Sequence, residues 1–161
     1  MATQIAIVGA SEATAWAAAA AEAVGVSLAA AGATVICGGL GGVMAAACQG
    51  AKSVGGTTVG ILPGRDGRAA NQWVDVVIAT GLGEARNALV VGSAAVVIAV
   101  DGEYGTLSEI ALALRAHIPV IGVGTWTLTR PDGEIDSGIV PIEDPHEAAA
   151  VALRLASTLA T

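Results

Sequence analysis

Short runs of β-branched and aliphatic residues alternate along the chain with longer, alanine-rich stretches. The short runs predict strands over 4–8 (QIAIV), 34–37 (TVIC), 57–62 (TTVGIL), 73–79 (WVDVVIA), 94–100 (AAVVIAV) and 119–123 (PVIGV). The stretches between them predict helices over 13–31, ended by Gly32, then over about 42–54, 84–93 and about 106–116. A last helix is expected over about 144–159, after the turn signal EDPHE. Strands that alternate with helices need crossover connections. The expected fold is therefore α/β: a single Rossmann-like domain over 1–161, with a doubly wound, mostly parallel sheet and helices on both faces. The central strands are apolar on both faces, as a sheet covered on both sides requires. Residues 125–140 break the rhythm, and Asp132–Gly133 there predicts a small hairpin.

Composition narrows the function. Hydrophobic residues make up 54% of the 161 positions and charged residues 13%, which suits a full core and argues against disorder. The net charge of −7, with no basic run, argues against nucleic-acid or anionic-membrane partners. No stretch is long and clean enough to span a bilayer. The amino-terminal MATQIAIVGA lacks a basic n-region, so the expected location is the cytoplasm. Cys37 and Cys48 lack CxxC spacing and read as buried, reduced thiols. His117 and His146 have no partner at a telling spacing, so neither a metal site nor a catalytic triad is expected.

In an open α/β sheet the ligand sits beyond the carboxyl ends of the strands. Five turns lie at that edge: VGASE with Gly9, CGGLGGVM, ILPGRDGRAAN, ATGLGEAR and VDGEYGTLSE. In CGGLGGVM, Gly38, Gly39, Gly41 and Gly42 either admit a phosphate to the backbone or serve a tight turn alone, and Met44 opens the helix that follows. Neither a GxxxxGK[ST] loop nor a GxGxxG register occurs, which sets aside P-loop and NAD-type sites. In YGTLSE, Thr106 and Glu109 have the spacing of a capping box. The competing reading has the amides of Gly105, Thr106 and Leu107, with the Thr106 hydroxyl, donating to a phosphate. Gly102 and Tyr104 belong to the same turn.

Arg86 falls in the first turn of an expected helix, where a cation opposes the helix dipole. The same position faces the glycine turns, where a guanidinium can grip a phosphate or carboxylate, with Asn87 beside it. Arg65 and Arg68 read as solvated loop charges, or as a lid over the same edge. Asp101 and Glu103 disfavour a highly charged ligand and are better suited to a monophosphate.

The blocks CGGLGGVMAAACQGAK, GLGEARNALVVGSA and DGEYGTLSEIALAL, in that order, resemble the LOG (Lonely guy) superfamily. The nearest branch is similar to its short bacterial members and to the related molybdenum cofactor carrier proteins. That resemblance implies a Rossmann-like homodimer or higher homo-oligomer. It implies a phosphoribohydrolase, not a lysine decarboxylase, that cleaves the N-glycosidic bond of a nucleoside 5′-monophosphate to free base and ribose 5-phosphate and requires no cofactor. Matched to the family signature, Arg86 and Glu109 are the catalytic pair, and Gly105 and Thr106 bind the phosphate. The signature's leading Pro-Gly-Gly is Asp101-Gly102-Glu103 here, and its Arg-Lys pair is Arg86-Asn87. Both departures make the site more acidic. The carrier-type relatives supply the alternative: a non-catalytic carrier or sensor of a phosphorylated cofactor, molybdopterin-like or a nucleotide derivative.

Overall fold

The structure is a computed structural model that describes residues 2–159; Met1 and residues 160–161, the ends of the expected domain, lie outside the described residues. Seven strands form one sheet: β1 (Gln4–Gly9), β2 (Thr34–Cys37), β3 (Thr58–Leu62), β4 (Val76–Ala79), β5 (Val96–Val100), β6 (Val120–Val123) and β7 (Ile139–Pro141). Their order is β4-β3-β2-β1-β5-β6-β7, and all six pairings are parallel. The chain winds outward from β1 to β4, then returns to lay β5 along the other side of β1. That reversal puts the topological switch point between β1 and β5.

The helices are α1 (Ala15–Ala30), α2 (Val43–Ser53), α3 (Asn87–Gly92), α4 (Tyr104–Arg115) and α5 (Pro145–Leu159). Alternate strand residues serve opposite faces. Ile5, Ile7, Val96, Ile98 and Val100 pack with α1, α2 and α5. Ala6, Val8, Val97 and Ala99 pack with Val90 and Val91 of α3 and with Ile110 and Ala113 of α4. The chain has no Phe and few large side chains, so it fills its core by close approach of backbones. A Cβ on Gly25 of α1 would stand 2.1 Å from the Ala47 carbonyl oxygen of α2, and one on Gly50 would stand 2.1 Å from that of Glu22. The two helices therefore touch at positions that tolerate nothing larger.

Three expectations change. The helix over 84–93 is a 3-10 turn, Gly83–Arg86, followed by the short α3. Gly81 and Gly83, both at positive φ, bend the chain just ahead of α3, so no continuous helix forms there. The expected hairpin closes through a Thr129–Ile135 antiparallel bridge with Gly133 at φ +89°, but the segment then supplies the parallel edge strand β7. The helix expected over 106–116 starts at Tyr104. Asp101 (φ +51°) and Gly102 (φ +121°) turn the chain within two residues, so the helix can begin early.

Candidate functional site

That early start overturns the capping box. Glu103, not Thr106, occupies the N-cap, and its side chain makes no capping hydrogen bond. Thr106 lies inside the first turn. The Leu107 N–H is already bonded to the Glu103 carbonyl, 3.0 Å away, so it is not available to a phosphate. The uncapped amides belong to Tyr104, Gly105 and Thr106, at the positive end of a twelve-residue helix.

Of these three residues, Gly105 and Thr106 line a cavity of about 260 Å³ at the switch point. Gly9, Ala10 and Ser11 line it from the end of β1, and Glu103, Gly105, Thr106 and Glu109 from α4. Leu40 and Met44 close it on the β2 side; Pro63, Glu84, Arg86 and Asn87 complete the wall.

Five polar or charged side chains are buried among the described residues, and four of them meet here: Arg86 (8% exposed), Asn87 (7%), Thr106 (2%) and Glu109 (7%). The fifth, Thr58, is satisfied by the Trp73 carbonyl, 2.6 Å away, and by Asp75. The Asn87 amide donates to Ser108 Oγ at 3.0 Å and ties α3 to α4. The other three lack such partners. Arg86 Nε, Arg86 Nη1 and Thr106 Oγ1 are buried with no hydrogen-bond partner, and Glu109 makes no hydrogen bond or ion pair among the described residues. A buried donor left unpaired costs about 1–3 kcal/mol, and more when charged.

Local glycines make this arrangement possible. A Cβ on Gly38 would fall 2.0 Å from Arg86 Nη1, so the guanidinium rests where a side chain would be. A Cβ on Gly102 would fall 2.6 Å from Thr106 Oγ1. These glycines frame the wall from behind. Gly38, Gly39, Gly41, Gly42, Gly102 and Tyr104 do not line the cavity, whereas Gly9, Met44, Arg86, Asn87, Gly105, Thr106 and Glu109 do. Sequence reasoning passed over Ala10, Ser11, Leu40, Pro63, Glu84 and Glu103 as lining residues. All six fall within the five turns already singled out, so edge position was the available signal.

Burial pushes the Glu109 carboxyl up to about 7, against the opposing pull of the Arg86 guanidinium. Below the cavity, Cys37 and Cys48 are free thiols with sulfurs 3.4 Å apart. Their hydrogen bond, with the Gly39 N–H 3.3 Å from Cys37 Sγ, lowers the Cys37 pKa and raises that of Cys48. Arg65 and Arg68 do not line the cavity, and Arg68 is ion-paired with Asp66 at 2.8 Å on the surface. Among the described residues no cluster of three or more His, Cys, Asp or Glu could hold a metal. No helix among them is long and apolar enough to cross a membrane.

An all-parallel, doubly wound sheet with a cavity at the switch point defines a Rossmann-like protein. Residues 2–151 match the model of the SLOG cluster4 family, and the chain belongs to that family. An uncharacterized protein of Archaeoglobus fulgidus is 47% identical over 145 residues, covering 90% of this chain and 91% of that protein. Among solved structures, the molybdenum cofactor binding protein of Rippkaea orientalis is similar over all of this chain and 99% of its own, with TM-score 0.85 and 33% identity. The Moco carrier protein of Chlamydomonas reinhardtii is similar over 98% of this chain and 99% of its own, with TM-score 0.83 and 34% identity. The DNA processing protein A of Helicobacter pylori, at 20% identity and TM-score 0.69, shares the fold alone.

Proposed function

We propose that this protein holds a phosphate-bearing small molecule in the switch-point cavity and acts as a carrier or sensor of a phosphorylated cofactor. The observation that carries this reading is the set of three buried, unpartnered donors, Arg86 Nε, Arg86 Nη1 and Thr106 Oγ1, on two residues that line the cavity. With the uncapped amides of Gly105 and Thr106, they supply the donor set that phosphate recognition requires. A phosphate that met these donors would remove their desolvation cost. The single cation and the carboxylates of Glu84, Glu103 and Glu109 favour a monoester over a polyphosphate.

The likeness to the cofactor-binding proteins of Rippkaea and Chlamydomonas supports a molybdopterin-type ligand, whose side arm ends in a phosphate monoester. The residues fit that group at its phosphate. Arg86, Thr106 and the α4 amides would hold it, while the cofactor itself would supply the redox chemistry to a recipient. A cavity of about 260 Å³ accommodates the phosphate and its neighbouring atoms, so the remainder would extend past the rim towards solvent.

A second reading is hydrolysis of a nucleoside 5′-monophosphate to free base and ribose 5-phosphate. Glu109, buried beside Arg86, supports it: as a carboxylate it could stabilise a ribosyl cation or orient water. We further assign the protein to the cytoplasm, in keeping with two free thiols at contact distance, and to a homodimer or higher homo-oligomer. Val76, Val77 and Ile78 on edge strand β4 are 48%, 39% and 45% exposed, which supports that assembly.

The test is incubation with molybdopterin-type compounds and with a panel of nucleoside monophosphates, following thermal stabilisation and ribose 5-phosphate together. Stabilisation without product, lost in Arg86→Ala, is the expected result. Ribose 5-phosphate release that depends on Glu109 would replace the carrier reading with the hydrolase. No stabilisation by any phosphate compound would refute both.

A further inference from the structure

We propose that Glu109 couples the pocket to protons: an anion entering beside Arg86 takes up a proton at Glu109 and loses it again on release. This rests on the anion-holding reading above and adds its regulation.

The geometry is specific. Glu109 lies one helical turn after Thr106 on α4, lines the same cavity as Arg86 and Thr106, is 7% exposed, and makes no hydrogen bond or ion pair among the described residues. An unpartnered carboxyl next to a phosphate cavity is an odd choice if it stays charged. A carboxylate only accepts hydrogen bonds and repels a phosphate, whereas a protonated carboxyl donates to one of its oxygens. In the ligand-free pocket the Arg86 guanidinium favours the carboxylate, against burial. A bound dianion neutralises that guanidinium and sets like charge beside Glu109, and both changes drive a proton on.

The charged and titratable groups around Glu109 are few. Arg86 and Glu84 face the cavity from the 3-10 turn before α3, and Glu103 from the N-cap of α4. Cys37, at the end of β2, senses both Arg86 and Glu109. Strands β1, β5 and β6 and helix α3, which pack on α4, carry no titratable side chain, and Arg115 is exposed at the far end of α4. With burial placing the Glu109 titration near 7, the switch works across the physiological range.

The consequence is release on alkalinisation. Sulfate and ribose 5-phosphate serve as probes, because sulfate does not titrate here and a phosphate monoester, half-ionised for the second time near pH 6, is a full dianion by about pH 8, so that the two probes separate the titration of the ligand from that of the pocket. Dissociation constants are measured between about pH 6 and pH 9, together with calorimetry in two buffers of different ionisation enthalpy. The affinity of the wild-type protein for either anion should fall above about pH 7 by up to about tenfold per pH unit, with proton uptake approaching one per anion near pH 8. Glu109→Gln should bind with little slope over that range and take up no proton. Anion binding with a flat pH profile and no proton uptake in the wild-type protein would overturn the coupling and leave the pocket standing. An unchanged slope in Glu109→Gln would do the same. If neither anion binds at any pH, the pocket itself is refuted and the coupling with it. The wild-type proton count stands alone, so the test does not depend on the variant folding.

Discussion

Replacing Glu109 by glutamine should stabilise the ligand-free protein at pH 8 and cost it about 1 kcal/mol near pH 4. In the folded chain the carboxyl titrates near 7, against an ordinary 4.5. The folded state therefore holds this proton more tightly than the unfolded state. The stability it contributes is fully present below about pH 4.5, declines as pH rises to about 7, and is then lost. At about 1.4 kcal/mol per pKa unit, burying the carboxylate costs on the order of 3 kcal/mol at pH 8. Glutamine keeps the shape without the charge, though its buried amide carries a desolvation cost of about 1 kcal/mol or more. The net gain at pH 8 is therefore about 2 kcal/mol. Urea unfolding of both proteins at several pH values measures it, with the slope m as a check that the unfolded states match. Asp66, Asp75, Asp136 and Asp144, whose pKa values are lowered, also shape each profile, but they cancel in the difference. A difference that does not change with pH, or glutamine less stable at pH 8 than at pH 4, would refute an uncompensated buried carboxyl.

Thr106→Val should leave ligand-free stability unchanged or raise it slightly, since the hydroxyl has no partner, while weakening phosphate binding about tenfold; a loss of about 1 kcal/mol on unfolding would restore the capping role. Gly38→Ala sets a methyl group 2.0 Å from Arg86 Nη1 and should abolish anion-dependent stabilisation at a cost of about 1–3 kcal/mol in folding, read by thermal melts with and without ligand. Asn87→Ala removes the hydrogen bond to Ser108 and should cost about 1–2 kcal/mol, measured by urea unfolding.

Much of the fold was legible because the strand runs are unmixed. AAVVIAV cannot be half-exposed, and β5 is buried along its whole length at the centre of the sheet. Strand β7 escaped notice because three residues that include Pro141 carry almost no pattern, and only the open edge of β6 makes them a strand. The WVDVVIA run overstated β4, since Trp73 and Asp75 instead supply a carbonyl and a carboxylate to Thr58. At the site, edge position and residue type singled out Arg86, Thr106 and Glu109. Their chemistry was harder to read. Thr-x-x-Glu fits a capping box in any sequence, and only the left-handed turn at Asp101–Gly102 moves the helix start to Tyr104. That Gly38 holds a place for a guanidinium from residue 86 is a contact across 48 residues, which local pattern cannot register.

The central claim is that buried, unpartnered donors on Arg86 and Thr106 await a phosphate. Native mass measurement of the wild-type protein and Arg86→Ala, each titrated with ribose 5-phosphate near pH 6, tests it most directly. The account predicts a complex with one anion per chain for the wild-type protein and none for the variant. No complex with either, or equal complexes with both, would contradict it.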